Sequence, residues 1–78
     1  MREKVFAIVS SVVSVPKETI TEASSSDTVE AWDSLKHINL ILALEEAFGV
    51  QFDDEIIPEL NSVNKILIAL RALKGEHP

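Results

Sequence analysis

Near the start of the chain Val5, Ile8, Val9 and Val12, with Phe6 and Val13 beside them, recur at the i, i+3, i+4, i+7 spacing of a helix with one apolar face. The β-branched pairs in this stretch would also suit a strand, but the spacing predicts a helix that stops before Pro16. Residues 15–33 lose the period and are rich in Ser, Thr and Glu, including the run Ser24-Ser25-Ser26-Asp27. They predict a connection of a length that, in a compact domain, is functional or packs with its own side chains. Val15, Ile20 and Val29 are its expected anchors on the core. The strongest helical pattern runs from Asp33 to Phe48, with Asp33 as N-cap, Ser34 as the first helical residue and Gly49 as the stop. Asp53-Asp54-Glu55 then predicts the positive end of a short helix limited by Pro58. Asn61 or Ser62 caps a last helix in which Val63, Ile66, Leu67, Leu70 and Leu73 form one stripe, ended by Gly75. The expectation is an all-α fold, a small four-helix bundle of three main helices and one short one, with a long loop between helices one and two. No internal repeat or low-complexity segment breaks the pattern, and residues 1–78 read as a single domain.

The second helix does not fit a one-sided pattern. Its apolar residues at positions 35, 38, 40, 41, 42, 43, 44, 47 and 48 wrap around most of the cylinder, which demands cover on several sides. In so small a bundle the other helices cover one broad face, so Leu40, Ile41, Leu44 and Phe48 are assigned to the core. Leu35, Ile38 and Leu42 form a second ridge that runs toward Glu45 and Glu46. Two readings of that ridge stand: it docks a partner with apolar grooves and basic residues, or it packs under the long loop.

Composition narrows the chemistry. Thirteen acidic against seven basic side chains give a formal net charge of −6, which repels nucleic-acid backbones and anionic membrane surfaces and favours a cationic partner. Without cysteine the chain has no disulfide, no thiolate nucleophile and no cysteine-ligated zinc, and His37 and His77 are too few for a histidine metal site. Any thiol chemistry must use an imported thiol. The N-terminal residues lack the pattern of a signal peptide and no stretch approaches the roughly 20 apolar residues of a membrane span, so a soluble cytoplasmic protein is expected.

Ser34 lies where the long loop meets the second helix, and there backbone N–H groups and the helix dipole favour an attached phosphate. A plain cap-region serine is the commoner reason for a serine at such a position. Asp33, Ser34 and His37 together suggest a hydrolytic triad, but nothing in the sequence supplies an oxyanion hole or substrate cleft, and no catalytic residue is assigned. His37 reads as a solvated helix residue or as one that touches an attached group or a partner, Trp32 as a loop anchor packed on the core or as part of a recognition surface beside Ser34, and His77 as part of a frayed tail. Asp53-Asp54-Glu55 lacks the alternating ligands and glycine of a calcium loop, so no resident metal is expected.

Asp33-Ser34-Leu35 at a helix start, followed by Ile38, Leu40-Ile41-Leu42-Ala43-Leu44-Glu45-Glu46-Ala47-Phe48-Gly49-Val50, resembles the acyl carrier protein family. The likeness extends over most of the chain, from the order of the elements to the final helix. It implies that a phosphopantetheinyl transferase moves the phosphopantetheine arm of coenzyme A onto Ser34, and that the arm's thiol carries an acyl group as a thioester for enzymes of fatty acid, lipid or polyketide-type synthesis. It also implies that Asp33 and Leu35 complete the attachment motif, and that Leu35, Ile38, Leu42, Glu45 and Glu46 lie on the helix shown to loading, condensing or acyltransferase enzymes with basic docking patches. A monomer that binds no nucleic acid and inserts in no membrane is expected.

The sequence departs from the pattern of housekeeping carriers of fatty acid synthesis. Ala31, Lys36 and Asn39 stand where those carriers usually have Gly and two acids, and Ala47 interrupts what is often an acidic triplet. The helix charge changes by about +3, which alters partner choice and on-rate more than fold and points to a specialised stand-alone carrier. An aminoacyl or peptidyl carrier, or an unmodified acidic adaptor, are the alternatives.

Overall fold

Where the sequence supplies caps, helices begin and end. In the computed structural model, which describes residues 1–75, three α-helices form: α1 (Arg2–Val13), α2 (Ser34–Phe48) and α3 (Val63–Lys74). The Asp33 carboxylate accepts from the Lys36 N–H and the Ser62 hydroxyl accepts from the Lys65 N–H, each satisfying a first-turn donor that has no partner inside its helix. Both glycines of the chain, Gly49 and Gly75, take the left-handed conformation that closes α2 and α3. Ser14 closes α1 in the same conformation although it carries a side chain. The expectation for His77 lies outside the described residues.

The fourth helix of the expected bundle does not form. Asp53, Asp54 and Glu55 sit in a turn in which the Asp53 carboxylate accepts from the Glu55 N–H and its carbonyl accepts from the Ile56 N–H. The helical piece that follows is one 3₁₀ turn, Ile57–Glu59, and Pro58 lies inside it instead of limiting it, since so short a turn asks no N–H of its second residue. A second 3₁₀ turn, Lys17–Thr19, divides the long connection. Among the described residues there is no β-strand, only an isolated bridge between Ser25 and Ser62.

One core joins these elements. Val5, Val9 and Val13 of α1, Leu40, Ile41 and Leu44 of α2, and Val63, Ile66, Leu67 and Leu70 of α3 are buried. Ile20, Trp32, Phe52 and Leu60, all from the connections, complete the cluster. Ile20 is the buried anchor of the long loop; Val15 and Val29 pack on the core while remaining half-buried. Two expected core positions are less deep: Phe48 is half-buried and Leu73 is exposed, because each lies in the last turn of its helix, where the bundle ends. No helix among the described residues is long and apolar enough to cross a membrane.

The long loop is fastened to the start of α3 by backbone bonds: Ser26 N–H to Asn61 O, Val63 N–H to Ser24 O, and Asn64 N–H to Glu22 O. Arg2 pairs with Glu22, and Lys17 with Glu3 at 2.8 Å, an ammonium that holds the Glu3 carboxyl below the usual carboxylate range. At the far end of α2 the Lys4 ammonium donates to Ala47 O (3.0 Å) and lies over the Phe48 ring, while the Lys74 ammonium donates to Phe48 O (3.2 Å). Cations from α1 and α3 thus meet the negative end of the α2 dipole. Glu45 turns the other way: its half-buried carboxylate accepts from the Phe52 N–H at 2.9 Å, tying the return of the chain to the helix it has just left.

These contacts separate neighbouring positions of α2. Leu44→Ala is expected to cost about 2–5 kcal/mol in urea denaturation, through a cavity in the core, and Leu42→Ala less than about 0.5 kcal/mol. Glu45→Ala is expected to cost about 1 kcal/mol by orphaning the Phe52 N–H, while Glu46→Ala, on an exposed side chain, leaves the midpoint unchanged. Equal losses for the two glutamates would show that the Phe52 bond contributes nothing.

Candidate functional site

Capping by Asp33 sets the geometry of the α2 start. Asp33 is extended, its Oδ1 accepts from the Lys36 N–H at 2.9 Å, and its carbonyl accepts from the His37 N–H at 2.8 Å, so helical geometry starts at Ser34. Ser34 is exposed, and among the described residues no hydrogen bond engages its hydroxyl. A plain capping serine would turn its oxygen onto a first-turn N–H; here Asp33 performs that task and leaves Ser34 free to react.

Beside Ser34 opens a cleft of about 530 Å³. Ile38, Ile57 and Pro58 give it apolar walls, and Ser26, Asn61 and His37 add polar groups. Nothing in the sequence pattern signals the cleft, because the long loop, α2 and the Ile57–Glu59 turn each contribute to it and only the folded chain brings them together.

Trp32 and His37 form the floor. Trp32 is 2% exposed, the loop anchor its position predicts. His37 differs from the expected solvated residue: it is half-buried, its ring meets the indole edge to edge with the two planes 23° apart and centroids 6.3 Å apart, and both ring nitrogens are engaged. The Trp32 indole N–H donates to Nδ1 at 3.1 Å, and Nε2 lies 2.7 Å from Ile57 O. An indole nitrogen can only donate, so Nδ1 is the bare nitrogen and Nε2–H donates to the carbonyl. With both nitrogens held and His37 three residues along from Ser34, no hydrogen bond among the described residues joins imidazole to hydroxyl.

Of the ridge residues, Leu35 is 69%, Ile38 52% and Leu42 59% exposed. The long loop therefore does not cover them, and the reading that packed the ridge beneath it is overturned: that loop is fastened instead to the start of α3. Lys36 and Asn39 lie on the same helix near its start, while Glu46 is exposed near its end and Glu45 is spent on Phe52. Ala31, where related carriers have glycine, does not have a positive φ, so the turn places no demand for glycine there. Among the described residues no group of three or more His, Asp or Glu is arranged to hold a metal ion, and Asp53, Asp54 and Glu55 form a turn.

Comparison with known proteins agrees with this geometry. Residues 3–70 match the family described as "Phosphopantetheine attachment site". The chain is 46% identical over 66 residues, 83% of its length and 80% of the other's, to an acyl carrier protein of Thermosynechococcus vestitus. It is 40% identical over 67 residues, 85% of its length and 82% of the other's, to an acyl carrier protein of Syntrophobacter fumaroxidans. An acyl carrier protein of Prochlorococcus marinus matches at 33% over 73 residues, 94% and 91% of the two lengths. With a matching attachment domain over most of its residues and relatives that it covers nearly end to end, the chain belongs to the acyl carrier protein family, whose prosthetic group is covalent phosphopantetheine.

Proposed function

We propose that Ser34 is the attachment residue and that residues 1–78 work as one monomeric, non-enzymatic carrier domain in the cytoplasm. The observation that carries this reading is a single exposed serine hydroxyl, free of capping duty, at the first position of α2 and on the rim of the cleft. In the modification the Ser34 oxygen bonds to the phosphorus nearest the pantetheine of coenzyme A, the pyrophosphate P–O bond breaks, and adenosine 3′,5′-bisphosphate leaves; the hydroxyl proton passes to a base on the transferase. Asp33 Oδ1 is committed to the Lys36 N–H, which leaves Oδ2 to face the divalent ion that assists the transfer. The group supplies a thiol, which the chain itself lacks, and with it a thioester link to the acyl cargo.

Leu35, Ile38 and Leu42 provide the apolar part of the docking face, with Leu35 also completing the Asp33-Ser34-Leu35 motif. Glu46 and, as far as its bond to Phe52 leaves it free, Glu45 supply the acids that a basic patch on a loading, condensing or acyltransferase enzyme meets. Lys36 and Asn39 make the start of the same face less acidic, which supports a partner set different from that of carriers with acids there. Fatty acid, lipid or polyketide-type synthesis uses such cargo.

Incubation with coenzyme A, magnesium and a broad-specificity phosphopantetheinyl transferase is expected to add one phosphopantetheinyl mass, and Ser34→Ala to abolish the addition. No increment from a transferase that modifies another carrier would sink the proposal. Ile38→Glu is expected to slow turnover by an enzyme that uses the carrier at least about tenfold, roughly the value of one well-buried interface residue, while leaving the circular-dichroism spectrum unchanged. Turnover at the unmodified rate would remove Ile38 from the docking face.

A further inference from the structure

Trp32 and His37 occupy a defined pair of positions relative to α2. With Asp33 as N-cap, Trp32 immediately precedes the cap and His37 is the fourth helical residue. In many helices these two positions hold apolar side chains that pack together and fix the angle at which the chain enters the helix. Here the same pair is closed by a directional bond, indole N–H to imidazole Nδ1, with the two rings edge to edge and within 23° of one plane. The imidazole is held from behind by Ile57 O, so the ring cannot rotate without giving up one bond or the other. The indole is locked as well, because its ring is buried in the core. Between these fixed residues lie Asp33 and Ser34.

We propose that His37 is the positioning residue of the attachment site: it fixes the Trp32-Asp33-Ser34 backbone through the Trp32 bond, and so sets the direction in which the Ser34 hydroxyl faces an incoming phosphorus. This rests on the reading of Ser34 as the attachment residue. His37 touches neither the hydroxyl nor, in this arrangement, the reacting phosphorus; it acts through Trp32. Loss of the bond leaves the ridge of Leu35, Ile38 and Leu42 in place, so affinity for the transferase is retained while the approach of the hydroxyl becomes less well aligned. Misalignment of this kind falls on kcat and spares KM.

The two bonds of His37 are separable by chemistry. Asparagine carries an amide oxygen at the place of Nδ1 and can accept from the indole; glutamine carries an amide N–H at the place of Nε2 and can donate to Ile57 O. Trp32→Phe keeps a buried aromatic ring and removes only the donor. With coenzyme A and magnesium, His37→Gln and Trp32→Phe are expected to lower the transferase kcat about tenfold or more with KM within about twofold, and His37→Asn to stay within about twofold of the original chain. In ¹H–¹⁵N spectra the indole peak of the chain's one tryptophan and the Ser34 amide peak should move in His37→Gln and hold their places in His37→Asn. Original kcat in both His37→Gln and Trp32→Phe would overturn the proposal. So would equal slowing by His37→Asn and His37→Gln, which would assign the effect to lost ring packing. Should a His37 variant lose its helicity, Trp32→Phe decides by itself, because its ring still fills the core. An original chain that takes no arm from an active transferase would refute the Ser34 assignment instead, and the positions of the Ser34 amide peak would still decide whether His37 sets the backbone.

Discussion

Everything in this small domain depends on how α2 divides its apolar surface. One side, Leu40, Ile41 and Leu44, is sealed by the valines of α1 and the stripe of α3, and each buried leucine or isoleucine contributes roughly 1.5–3 kcal/mol. A chain of 78 residues has too little material to seal the other side as well. Leu35, Ile38 and Leu42 stay exposed, and this ridge is the face proposed to meet other proteins. The core and the exposed ridge are two sides of one helix, so the packing of the first sets the position of the second.

The helices were legible because their signals are local. Asp33 and Ser62 cap, Gly49 and Gly75 stop, and the apolar periods of α1 and α3 name their buried faces. The short fourth helix was misread because Asp53-Asp54-Glu55 carries the charge pattern of a helix start, yet Asp53 spends its carboxylate on the Glu55 N–H and closes a turn. At the site, the place of Ser34 at the first position of α2 was legible from the Asp33 cap that precedes it. The role of His37 was not: its partners are an indole that the helix start folds back toward it and a carbonyl 20 residues away. The Phe52 bond of Glu45 is hidden for a related reason, since it depends on the path of the chain after Gly49.

The two ends of α2 are held by different means. Ammonium groups from α1 and α3 converge on the last carbonyls, whereas the first turn depends on one carboxylate and on the Trp32–His37 pair. Charge attraction at the far end tolerates small shifts in distance; hydrogen bonding with a ring locked between two partners does not. Ser34 stands at the end with the stricter geometry, which suits the transfer proposed for its hydroxyl.

Both glycines are used to stop helices, so neither the connection from residue 14 to 33 nor that from 50 to 62 contains one, while Pro16 and Pro58 stiffen each. Such segments have fewer conformations to lose when the chain folds. They also have little freedom to open and close afterwards. The walls around Ser34 then have less conformational freedom to give up when they are covered, so less of the free energy of a contact there goes into ordering them. For a carrier domain, a small contact area can then suffice, because little of its free energy is spent on ordering the chain.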